Sequence, residues 1–200
     1  MKTMEKLSKN KVGKEATVAN LKFELTNDSI FVNGRTLFRI KALINFCDVK
    51  AGELGGYIEK ESNLSQEGDC WVYSDAWVFG DSKILENSKI YGSAKIFGEA
   101  QISGSAWIHG SAWVFEKAQI SGHSRISGDS KISGEAAIFG EAAIFEKAQI
   151  SGKATIFEKA TISGEAWVSG EAQISGEAWV FGEAAFSGDS KISGKDRFFI

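Results

Sequence analysis

GEAWVSGEAQISGEAWVF, residues 164–181, is one six-residue unit written three times. The unit runs 22 times without a gap from Gly68 to Phe199. A fixed short period marks a repeat architecture. In each hexad the fifth position is Ile or Val, from Val72 and Val78 to Ile192, and only Phe186 and Phe198 depart from this. Two places earlier sits a small residue, such as Cys70, Ala76, Ser82 or Ser190. Residues two apart on a strand share a face. Each hexad therefore predicts a short strand with one large and one small inward side chain, in a setting that β-branched residues favour. Gly opens 17 of the 22 hexads, and the exceptions are Ser74, Glu86, Glu116, Glu146 and Glu158. Gly turns a chain at low steric cost, so this slot is the corner between strands. A helix is excluded, because apolar residues recur at six rather than at three and four.

One hexad cannot bury its own apolar side, but stacked coils can. Three hexads per coil make a triangular prism with an 18-residue turn. At a strand spacing of ~4.8 Å, about seven coils give a rod roughly 35 Å long. The expected fold is all-β, a parallel β-helix solenoid over residues 58–200, with a small antiparallel β cap over residues 20–57 and a polar segment at 1–19. The cap strands are expected at Leu21 to Thr26, Ser29 to Val32 and Arg35 to Leu43, separated by Asn27-Asp28 and Asn33-Gly34. Asn-Gly between apolar runs is a hairpin signal. From Leu64 to Val72 the aliphatic spacing is eight, so two extra residues mark the junction.

These residues resemble the hexapeptide-repeat, left-handed parallel β-helix proteins. Ile58 to Asn63 (IEKESN), followed by Leu64, fits the family pattern directly, whereas from Gly68 the Gly stands two places after the aliphatic residue rather than one. Thr36 to Trp71 resembles the leader of a group of bacterial and phage proteins that are often labelled acyltransferases. The resemblance implies a left-handed coil and, for the enzymes of the family, a trimer with a His general base. A repeat fold does not by itself define an activity.

Composition narrows the compartment and the partner. The first eleven residues are polar and Lys-rich rather than apolar, so no signal peptide or membrane span is expected. Cys47 and Cys70 are the only cysteines, and Cys70 fills an inward slot, which reads as a space-filling thiol in a cytoplasmic protein. The net charge of −3 divides into +4 over residues 1–60 and −7 over residues 61–200. Neither part carries the dense basic stripe of a nucleic-acid binder, and direct nucleic-acid binding is not expected.

The candidate site residues are aromatic. The outward slot before the aliphatic residue holds all six tryptophans. At 18 residues per coil, Trp71, Trp107 and Trp179 fall on one face, and Trp77, Trp113 and Trp167 on another. The slot after the aliphatic residue adds Phe97 and Phe115, among others. Exposed aromatics of this density mark an interface, and stacked aromatics also stabilise coil on coil. The terminal Phe198, Phe199 and Ile200 are expected to mediate self-association into a homo-oligomer, because an open apolar strand edge invites pairing.

Candidates for catalysis are sparse. His109 and His123 are the only histidines. They stand 14 residues apart, so they do not stack at the coil period. Neither has an evident carboxylate to orient it, as a general base requires. Two unaligned histidines do not supply the ligand set of a zinc site, and neither metal nor cofactor is expected. The expected function is a non-enzymatic binding or assembly module for a protein partner. The phage-like leader suggests an inhibitor of a host defence protein. A trimeric hexapeptide acyltransferase using His109 or His123 is the alternative.

Overall fold

A computed structural model describes residues 21–199. The polar segment 1–19 lies outside the described residues. From Trp71 onward the chain makes one two- or three-residue strand per hexad. These strands stack in three parallel sheets, one for each side of the prism. Face one carries Trp77–Val78, Lys95–Ile96, Trp113–Val114, Lys131–Ile132, Gln149–Ile150, Trp167–Val168 and Ala185–Phe186. Face two runs from Lys83–Ile84 to Lys191–Ile192, and face three from Trp71–Val72 to Arg197–Phe199. Residue i pairs with residue i+18 throughout, as in Trp113↔Lys131 and Ile108↔Ile126. The protein is a parallel β-solenoid with 18-residue coils.

The core is the double ladder expected from the hexad. Ile84, Ile102, Ile156 and their equivalents are fully buried, as are Ala94, Ala112 and Ala166 in the small slot. Each such Ile contributes about 2 kcal/mol of burial. Serine is tolerated in the small slot because its hydroxyl donates to a carbonyl three residues back: Ser88 Oγ to Leu85 O at 2.7 Å, Ser124 Oγ to Ser121 O at 2.6 Å. The corners take left-handed backbone at Gly and non-Gly alike, with φ of 58–62° at Glu86, Glu116, Glu146 and Glu158.

Strands β1 (Phe23–Val32), β2 (Arg35–Ala42) and β3 (Leu54–Ile58) form the antiparallel cap. The Asn33-Gly34 turn is as expected, with φ of 50° and 77°. The break expected at Asn27-Asp28 is absent. Strand β1 runs through it as a bulge, placing two extra residues between the pairs Leu25↔Ile40 and Ser29↔Phe38. Pairing with β2 resumes beyond, so the polar pair interrupts the register and not the strand. Strand β3 pairs antiparallel with β2 and parallel with Trp77–Val78. It is at once the last cap strand and the first rung of face one, so the boundary at 57/58 falls inside one continuous sheet. Gly55 and Gly56 are required there. A Cβ on either would sit 2.5 Å from a backbone oxygen, of Val72 or Ala76.

Of the residues expected to mediate self-association, Phe198 is half-buried and meets Phe186 edge-on at 5.2 Å. The side chain of Phe199 and the whole of Ile200 lie outside the described residues.

Candidate binding faces

The outward slots divide into two kinds of aromatic, with Phe139, stacked on Phe157 yet 40% exposed, between them. In the slot after the aliphatic residue, Phe79, Phe97 and Phe115 stack at 5.0 Å centroid spacing, and Tyr73 stacks on Tyr91 at 4.2 Å. Phe97 and Phe115 are half-buried within that stack and hold coil to coil. In the slot before, the tryptophans stand proud: Trp107 is 47% exposed, Trp113 38%, Trp167 57% and Trp179 48%. Trp77 is half-buried.

Trp71 contradicts the slot rule. It is fully buried, with Phe46 edge-on at 5.3 Å and Phe23 at 6.3 Å. The cap folds over this one position of face three, so Trp71 belongs to the core and not to a binding face. The two junction residues flagged by the eight-residue spacing serve the same closure. Gln66 Oε1 accepts from the Lys22 backbone N–H at 2.8 Å. The buried Lys22 amine donates to Glu67 O, Gly68 O and Cys70 O, the last at 3.0 Å, and contacts Cys70 Sγ at 3.3 Å. Burial lowers the Lys22 pKa and raises that of the Cys70 thiol. Sequence reading missed Lys22, because an isolated Lys outside the repeat carries no signal of burial.

Cations neighbour Trp107, Trp113 and Trp179, whereas Trp167 lies between Gln149 and Ala185. On face one Lys95 Nζ lies 4.6 Å from the Trp77 ring and 4.9 Å from Trp113, and Lys131 Nζ lies 5.8 Å from Trp113. Arg39 covers Tyr57 at 4.7 Å where the cap extends the same sheet. On face three Trp107 stands between Lys89 and Arg125, and Arg197 lies 5.2 Å over Trp179. None of the outward strand slots from Trp71 to Phe199 holds Asp or Glu. The solenoid's acids line its corners instead. The net charge of −7 over residues 61–200 thus conceals cationic, aromatic faces between acidic edges.

A second cluster ties the cap to face three. Tyr73 Oη donates to Asp48 Oδ1 at 2.9 Å, and Lys89 Nζ donates to the same oxygen. The Lys89 contact, aided by Tyr73 and opposed by burial, pulls the Asp48 carboxyl down to about 2. Burial and the Asp48 contact raise the Tyr73 phenol above its ordinary value.

The histidines do not form a site. Both are exposed, and among the described residues neither side chain has a hydrogen-bond or ion-pair partner. Two shallow surface depressions lie elsewhere, one along the corner at Glu158, Lys159, Gly176 and Glu177, the other at Asp129, Lys131, Lys147 and Gln149. Among the described residues no three His, Cys, Asp or Glu side chains gather as metal ligands, and no helix is long and apolar enough to cross a membrane.

These features define a hexapeptide-repeat parallel β-solenoid with an antiparallel cap. No family model matches the chain. Among curated proteins it is similar to one of Escherichia coli (strain K12) named "Uncharacterized acetyltransferase YdcK", with 51% identity over 37 residues. The matched stretch is 18% of this chain and 11% of that protein.

Proposed function

We propose that this solenoid is a non-enzymatic binding module that engages a protein partner through its aromatic faces. The carrying observation is the exposure of Trp107, Trp113, Trp167 and Trp179. Tryptophans lying 38–57% open to water are the anchors a partner buries at the centre of an interface. The resemblance of the leader to phage proteins suggests a host protein, such as a defence factor, as that partner. A trimeric acyltransferase is the second reading, and the name of the matched relative favours it.

The two readings separate in one experiment. A binding module captures one macromolecule from a host lysate, loses it in the Trp107→Ala/Trp113→Ala double variant with unchanged thermal unfolding, and keeps it in His109→Ala and His123→Ala. Acyl transfer from an acyl carrier that disappears in either His variant would overturn the binding reading.

A further inference from the structure

Corner lysines and face-one lysines of the solenoid differ in their partners. At the corners Lys117, Lys147 and Lys195 find carboxylates one coil away, as in Lys147 with Glu165 at 2.8 Å and Lys195 with Glu177 at 3.7 Å. On face one Lys95 and Lys131 find none: among the described residues, their ammonium groups touch only the rings of Trp77 and Trp113. The pleat puts these lysines on the same outward ladder as the tryptophans, and that ladder holds no acid. A ring face attracts a cation without satisfying its three N–H donors. Clamping Lys95 between two indoles also removes rotamer freedom that binding would otherwise have to remove. The result is a pre-positioned pair of unpaired cations beside Trp113.

We infer that face one binds an acidic segment of a protein partner, whose carboxylates pair with Lys95 and Lys131 while its apolar side chains cover Trp113. The inference rests on the binding reading above and specifies the partner's chemistry. Charge complementarity selects an acidic segment, since the face offers cations and no anions. The corners select a peptide over a nucleic acid. Asp75, Glu99 and Asp129, none of them in an ion pair among the described residues, flank face one on both sides, while Asp81, Glu135 and Glu165 there pair with Lys60, Lys117 and Lys147. A phosphate backbone, charged at every nucleotide, would lie within a Debye length of ~8 Å of those carboxylates. A peptide with a few acids confined to the middle of the face avoids them.

The test is fluorescence titration with poly(Glu,Tyr) as the probe, and poly(Lys,Tyr) and an oligothymidylate as comparisons. Expected is binding of poly(Glu,Tyr) alone, weakening with added salt and falling about tenfold or more in Lys95→Glu/Lys131→Glu. Lys95→Gln/Lys131→Gln, which removes charge without reversing it, should fall less and serves if the reversal unfolds the chain. Equal binding of poly(Lys,Tyr), tighter binding of the oligothymidylate, or no binding of any probe overturns the inference. The two readings fail separately. If poly(Glu,Tyr) binding survives charge reversal but is lost in Trp107→Ala/Trp113→Ala, the faces bind and the acidic preference is wrong. If it survives both, neither reading stands.

Discussion

The Glu116 carboxylate accepts a hydrogen bond from the backbone N–H of Gly134, one coil further along, at 2.5 Å. Glu86, Glu146 and Glu158 do the same to Gly104, Gly164 and Gly176. Four of the five corners that lack Gly thus carry a side chain that staples its coil to the next. A non-Gly residue in left-handed backbone costs about 1 kcal/mol or more, and a charge-assisted bond to a backbone N–H offsets that cost.

This pairing predicts an unusual order of variants. Glu116→Ala keeps the strain and loses the staple, so it should destabilise by about 1–2 kcal/mol. Glu116→Gly loses the staple but relieves the strain, and should unfold close to the parent. Urea unfolding monitored by circular dichroism measures both. Equal midpoints for the Ala and Gly variants would show that the staple, and not the strain, dominates.

Burial of Trp71 separates it from its five sister tryptophans. Trp71→Ala leaves a cavity beneath Phe23 and Phe46 and should cost about 3–5 kcal/mol. Trp71→Phe should be far milder, because the Trp71 indole N–H is buried without a partner among the described residues and its loss removes an unsatisfied donor. Trp167→Ala, at an exposed position, should change thermal unfolding by less than about 0.5 kcal/mol. A Trp71→Ala chain as stable as Trp167→Ala would refute the closed cap.

The Asp48 cluster makes the cap junction acid-sensitive. The folded carboxyl sits at about 2 against an ordinary 3.8, so the unfolded chain takes up the proton first as pH falls. Stability from this group is therefore full above about pH 4 and is lost as pH drops toward 2. The carboxylate is half-exposed, so screening limits the effect to about 1 kcal/mol. Asp48→Asn should reduce stability at neutral pH and flatten the acid limb in a Trp-fluorescence titration. An acid limb identical to the parent's would remove Asp48 from the account.

The sequence alone determined the period, the 18-residue coil and, apart from the exposed Asp196 and the buried Trp71, which residues of each hexad face inward and which lie on each outer face. These are legible because each coil contacts only its neighbours in a constant register. One hexad predicts the environment of the next. Tertiary structure alone decided what closes the first coil. It placed Trp71 under Phe23 and Phe46, drew Lys22 into the junction, carried β1 through Asn27-Asp28, and joined Asp48 to Lys89. The side-chain contacts among these span 25 to 48 residues between segments without a common period, and no local pattern encodes them. Within the faces, slot position marked the tryptophans as outward, but only packing distinguished the half-buried Phe97 and Phe115 from the exposed Trp107 and Trp167. Ring stacking between coils half-buries the Phe97 and Phe115 set, whereas no aromatic ring stacks on Trp167 from its rung neighbours Gln149 and Ala185.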